Sequence, residues 1–229
     1  MTNTVLTMLA SVGTILIYIG ARYGYRRVTY PFMMPILTTT LVIIIILIAF
    51  GMPYQRYMDG AQWIDELLGP AVVALAFPLY QQRAMIKCYS LPLLIGIFVG
   101  VCVGIMTGFG FAWLLGVPES IRTSLLPKSV TTPVAMEIAQ VSGGTPAIAV
   151  VFVMVAGIGG VILAPYLFKW VKIRSDLGKG ISLGAGSHAI GTAKSLEYGE
   201  RAAAVSSVAM TLSALFASVL VPLFVYFTS

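Results

Sequence analysis

Several apolar runs of roughly 18 or more residues dominate this chain, and as a helix each can cross a hydrocarbon core of about 30 Å. Helices of a soluble protein keep a polar stripe, and these runs have none. Of the 229 residues, 59% are hydrophobic and 10% charged, where a soluble domain carries about 25% charged residues. A segment in lipid must satisfy its own backbone hydrogen bonds, so even the β-branched run LVIIIILIAF is expected to be helical. The fold class is therefore an all-α, polytopic integral membrane protein.

The sequence predicts spans at Thr4–Gly20, from Pro31 and Pro35 to about Phe50, and at Leu91–Leu115, Pro146–Trp170 and Ala202–Phe227. Leu67–Gln82 is shorter and interrupted by Pro70 and Pro78, so it is either a kinked span or a broken helix. Gln81 at its end is a candidate polar contact. Gly51–Glu66, with four charged residues, is expected to be an external segment. Glycines at 96, 100, 104, 108 and 110 fit close helix packing.

The net charge of +6 comes from short basic clusters between apolar runs, not from a nucleic-acid-binding face. Arg22, Arg26 and Arg27, then Arg83 and Lys87, then Lys169, Lys172, Arg174 and Lys179 mark cytoplasmic loops, which leaves the N-terminus outside. Met1–Gly20 lacks a small-residue cleavage motif and is expected to stay as the first helix. Cys88 and Cys102 form neither a disulfide framework nor a metal set. No metal or cofactor is expected, and no catalytic motif points to an enzyme.

Two polar stretches interrupt the apolar chain: Pro127–Gly144 and Gly178–Tyr198. The basic clusters make the first begin and end outside and the second begin and end in the cytoplasm. Pro165 and Pro222 lie 57 residues apart, as do Val151 and Val208. Residues 1–229 then form one membrane domain: N-terminal spans in 1–115, a hairpin plus span in 118–170, and an inverted copy in 178–227. Inverted repeats with interrupted helices are a recurring transporter plan.

Thr132 is expected to cap a half-helix, with Pro133 as its first residue and Ser142-Gly143-Gly144 as its stop. An arm of about nine residues spans roughly 14 Å, half a bilayer core. Ser187 is expected to cap a second half-helix from His188 to about Tyr198. Two helix N-termini meeting in a low-dielectric site favour an anion. Lys128, Ser129, Thr131, Thr132, Ser187, His188 and Thr192 would supply polar contacts, with Gly191 allowing close backbone approach. The matching ligand is a small carboxylate. Other roles stay open: Lys128 snorkelling from a surface loop, Glu137 facing water instead of coupling a proton, and His188 packed instead of titrating. Lys194 and Glu197 fit a structural or topogenic role.

At PKSVTTPVAMEIAQVSGGTPA (127–147), LGAGSHAIGTAKSLE (183–197) and LGPAVVALAFPLY (68–80), the sequence resembles the LrgB/CidB family of bacterial membrane proteins. The resemblance covers nearly the whole chain. It implies the bacterial cytoplasmic membrane and two functional labels. One is holin-like or antiholin-like control of murein hydrolase export and lysis with a small LrgA/CidA-type partner. The other is transport of small carboxylates such as glycolate, glycerate, pyruvate or lactate, as in plastid glycolate/glycerate translocators. A homodimer is expected as the brace for a moving part.

Overall fold

The computed structural model describes residues 2–27, 33, 35–67, 70, 73–74 and 76–228. The described residues are helical, with no strand among them. The chain divides into two compact units, Met1–Ala71 and Val72–Ser229.

In the first unit α1 (Thr2–Arg27) packs against α2 (Pro35–Ala49) and α3 (Tyr54–Glu66). Ser11 Oγ donates to Gly60 O at 3.0 Å, and Thr14 Oγ1 lies 2.9 Å from Tyr57 OH. The helix α1 runs past the expected Gly20 because Arg26 and Arg27 suit its carbonyl end. The expected external segment Gly51–Glu66 is mostly α3. Tyr57, Gly60, Ala61 and Ile64 recur at helical spacing and turn inward, while Arg56, Asp59, Gln62 and Trp63 are exposed.

The expected segment Leu67–Gln82 lies partly outside the described residues. Within it α4 (Ala76–Gln81) is helical, Gln81 is exposed, and α5 (Arg83–Cys88) follows.

In the second unit α6 (Ser90–Leu114), α9 (Pro146–Trp170) and α11 (Glu200–Thr228) are long and apolar enough to cross a membrane, with hydropathies of 2.3, 2.7 and 2.3. They match three predicted spans. Val99, Val103, Val151, Val155, Val219 and Leu223 are exposed on them. Such apolar outer faces suit lipid and would be a liability in water.

Shorter pieces lie between these helices: α7 (Glu119–Leu125), α8 (Thr132–Val141), α10 (Asp176–Ser195) and a 3-10 turn at Leu196–Tyr198. The helix α9 packs against α7, α8 and α10, and α11 packs against α6, α8 and α10. Leu93, Ile97, Val130, Val153, Ala185 and Val205 belong to one buried cluster that unites these elements.

Small residues allow the closest packing. A Cβ at Gly180 would meet Ala202 O at 2.7 Å, and one at Gly184 would run into Ser206 O, so α10 and α11 approach at backbone distance. After α8 the chain turns at Gly143, whose φ of 81° suits glycine, and Gly144 N–H donates to Ala139 O at 2.8 Å. Thr145 N–H then donates to Ser124 Oγ at 2.7 Å. The chain thus leaves Ser124 at the end of α7 and returns to it after α8.

Because the carbonyl of Ser206 cannot yield as a side chain can, Gly184→Ala should destabilise the protein by about 1–3 kcal/mol. Gly100, with open space around it, should accept Ala without loss. Thermal unfolding of the two variants in detergent checks this; equal midpoints would contradict the packing.

Candidate functional site

Residues 126–131 form a turn between α7 and α8, and it is unusually buried for a polar tip. Leu126, Pro127 and Val130 are buried, while Lys128 and Ser129 are half-buried. Lys128 Nζ donates to Gly104 O on α6 at 2.6 Å. A Cβ at Gly108, one turn further along α6, would sit 2.7 Å from Nζ, so glycine there makes the slot for the ammonium. Ser129 Oγ faces Gly104, 3.8 Å from where a Cβ would lie.

An ammonium has three donors, and Lys128 uses one of them on a protein acceptor. The one ion pair among the described residues is Lys194–Glu197, at 2.6 Å, so no carboxylate neutralises Lys128. An exposed i, i+3 pair of that kind contributes about 0–1 kcal/mol. It fits the structural role expected of both residues.

Thr131, not Thr132, holds the cap position of α8, with extended φ and ψ of −64° and 145°. Thr132 starts the helix and Pro133 follows in its first turn; both are half-buried. Backbone conformation decides between two adjacent threonines of equal capping propensity, which is why the expected boundary is off by one. The Thr131 side chain makes no capping bond. Its Oγ1 is buried and has no hydrogen-bond partner, in a residue only 7% exposed. Such a hydroxyl costs about 1–3 kcal/mol if left unsatisfied. The N–H groups of Thr132 and Val134 have no partner inside the helix, as in any first turn.

The second polar stretch is a broken helix. Non-helical angles at Ser187 (φ −127°, ψ 15°) and His188 (φ 43°, ψ −129°) interrupt α10. The expected start at Ser187–His188 therefore matches a break, but a helical arm from Asp176 precedes it where the sequence suggests only a Gly-rich stretch. Positive φ in a non-glycine residue is strained and needs support from its surroundings. Here α9 gives that support. His188 Nε2 bonds Val153 O at 3.0 Å, and a Cβ at Gly157 would lie 2.6 Å from the same nitrogen. Ser187 packs against Gly160. A carbonyl oxygen only accepts, so Nε2 carries the proton and Nδ1 of the neutral ring presents a lone pair.

The remaining candidates divide. Gly191 is buried against Leu183 O across the break, where a Cβ would not fit. Thr192 Oγ1 donates to His188 O at 2.9 Å and lies 3.0 Å from Ser206 Oγ, so it braces the break against α11. Glu137 is exposed, off the side of α8 that buries Val134, Ala135, Ile138 and Ala139. Among the described residues no side-chain hydrogen bond joins the tip to the break. The helices α8 and α10 both pack against α9 and α11, and one apolar cluster contains Val130 of the tip with Val153 and Ala185. The sequence reading missed Gly104 and Gly108 as the seat of Lys128, and Gly157 and Gly160 as the seat of the break. Their signal was a pair of glycines about one turn apart on α6 and another on α9.

No solved structure matches the chain. Protein YxaC of Bacillus subtilis is 50% identical over 93% of both chains, and holin-like protein CidB of Staphylococcus aureus is 35% identical over 98% of both. Protein YwbG of Bacillus subtilis is 33% identical over 88% of this chain and 90% of its own. The family model for LrgB-like proteins matches residues 14–227, which include the tip, the break and the three long apolar helices but for Thr228, and the chain belongs to that family.

Proposed function

We propose that this protein carries small 2-hydroxy or 2-keto monocarboxylates across the bacterial cytoplasmic membrane, binding them at the 126–131 tip. The observation that carries this is a half-buried ammonium and a buried hydroxyl three residues apart. Among the described residues the Lys128 ammonium has no carboxylate partner and the Thr131 hydroxyl has no hydrogen-bond partner. Both lie at the N-terminal end of α8, where unpaired N–H groups and the helix dipole favour negative charge. A carboxylate would meet all three. Ser129, Thr132 and the first turn around Pro133 would hold further oxygens.

Several features support an alternating-access plan. The ten residues of α8 span about 15 Å, half a bilayer core, so an excursion that leaves and rejoins Ser124 suits a re-entrant hairpin. Both α9 and α11 carry an internal proline, Pro165 and Pro222, each after an interrupted helical stretch. That fits a hairpin-plus-span unit repeated in inverted orientation, with the N-terminus outside. The break at Ser187, His188, Gly191 and Thr192 would be the moving counterpart.

Proton coupling falls to His188, since Glu137 is exposed. A carboxylate is repelled by the Nδ1 lone pair of the neutral ring and attracted by the protonated one. The charged residues on the helix of His188 and on the elements packed against it are Asp176, Lys179 and Lys194 on α10, Glu197 on the 3-10 turn, Lys169 on α9, and Glu200 and Arg201 at the start of α11, while α6 has none. A small LrgA/CidA-type partner and a homodimer complete the proposed assembly.

A second reading is holin-like or antiholin-like control of murein hydrolase export and lysis. The name of the staphylococcal relative favours it, and that relative aligns over nearly the full length of both chains. The two readings differ in flux. Proteoliposomes should take up labelled glycolate or pyruvate saturably while retaining a trapped dye larger than either. Dye release without saturable uptake, with or without the small partner, would establish the holin-like reading instead.

Lys128→Met and Thr131→Val should each raise the half-saturation concentration about 10-fold or more, the size of a hydrogen bond to a charged group. Thr131→Val should leave the unfolding midpoint unchanged or higher, because the hydroxyl it removes has no partner among the described residues. A lower midpoint with normal uptake would return Thr131 to a purely structural role. If His188 binds the coupled proton, uptake should rise as pH falls and the imidazole takes up its proton, and His188→Gln should flatten the profile. A profile identical to wild type would remove His188 from coupling.

A further inference from the structure

We propose that the basic pocket where α9 ends and α10 begins binds the headgroup phosphate of an anionic phospholipid. The pocket measures about 440 Å³, and Lys169, Lys172, Arg174 and Lys179 line it together with Phe168 and Tyr198. None of the four cations makes an ion pair; the one such pair among the described residues is Lys194–Glu197. Asp176, the nearest acidic residue in sequence, lies in the first turn of α10 and neutralises none of them. Four like charges around one cavity repel, and an anion between them removes that repulsion.

Depth selects a lipid over a soluble anion. The helix α9 is a 25-residue apolar helix, so its end lies at the membrane–water interface. Tyr166 and Trp170 are exposed near that end, as in the aromatic belts found at headgroup level. The pocket is also amphipathic. The Phe168 and Tyr198 rings meet edge-to-face at 5.6 Å to form an apolar wall, and Lys179 Nζ lies 5.1 Å from the Tyr198 ring centre. A soluble phosphate would use only the cations, whereas a phospholipid uses the cations and the wall.

Lys172 supplies an independent sign. It stops α9 at a φ of 59°, with Ile173 N–H bonded to Phe168 O at 2.9 Å. Glycine is the usual residue at such a stop, and a lysine there is strained. The strained position holds a cation in the pocket wall.

The three tryptophans of the purified protein report its unfolding in detergent. Phosphatidylglycerol should raise the midpoint by roughly 5 °C over phosphatidylcholine, and millimolar inorganic phosphate should not. Lys172→Gly should reduce that rise by half or more without lowering the lipid-free midpoint, which separates lost binding from lost folding. Lys172→Gln, Arg174→Gln and Lys179→Gln together should abolish the rise, while neutralising Arg22, Arg26 and Arg27 should leave it intact. Equal midpoints in the two lipids, equal losses from the two neutralised clusters, or a rise produced fully by inorganic phosphate would overturn the proposal. So would a full rise in Lys172→Gly, the variant that decides if the triple change does not fold.

Discussion

Burying the Lys128 ammonium in an apolar helical unit is the interaction on which the arrangement around the tip depends. Removing an ammonium from water costs several kcal/mol unless other groups replace the lost hydration. The protein supplies one carbonyl, Gly104 O, and a slot left by the missing side chain of Gly108. Reaching that slot requires the tip to press against α6, which buries Pro127 and Val130. It also requires the chain to return from the tip, which the Ser124–Thr145 hydrogen bond secures. Among the described residues two N–H donors of the half-buried ammonium and the buried hydroxyl of Thr131 have no acceptor or partner. A protein that needed this turn only for packing would gain stability from apolar residues at both positions.

The broken helix α10 meets the same constraint differently. Its break leaves backbone groups inside the unit, where Thr192 Oγ1 donates to His188 O, and at the end of the second arm Ser195 Oγ donates to Thr192 O at 2.6 Å. His188 in turn bonds α9 through Val153 O. The break is thus held by α9 on one side and by Ser206 of α11 on the other. Positive φ at His188 stores strain at that point, where a two-state element would most readily change its geometry.

How much of this was legible in the sequence follows from how local each signal is. The spans at α6, α9 and α11 are set by apolar length, which any window of the chain displays. The polar tip stood out because Lys128 and Glu137 interrupt that apolarity. The seat of Lys128 was not legible: Gly104 lies 24 residues earlier, and glycine spacing on an apolar helix reads equally well as simple packing. The first arm of α10, GKGISLGAG, looks like coil by propensity in water, yet Gly180 and Gly184 are what let it lie against α11. The helix α3 was hidden because Pro53, Gly60 and its charges read as loop, while its inward face is completed by hydroxyls of α1. Charge alone marked Glu137 as a candidate, and only the orientation of α8 removed it from the buried site.

The most direct measurement of the central claim is solid-state NMR of the protein in lipid with isotope-labelled lysine Nζ and carboxylate-labelled glycolate or pyruvate. Binding at the tip predicts a carboxylate coupled to a lysine ammonium at hydrogen-bond distance, with the coupling absent in Lys128→Met and weakened in Thr131→Val. No coupling for any small carboxylate, or one that survives Lys128→Met, would contradict it.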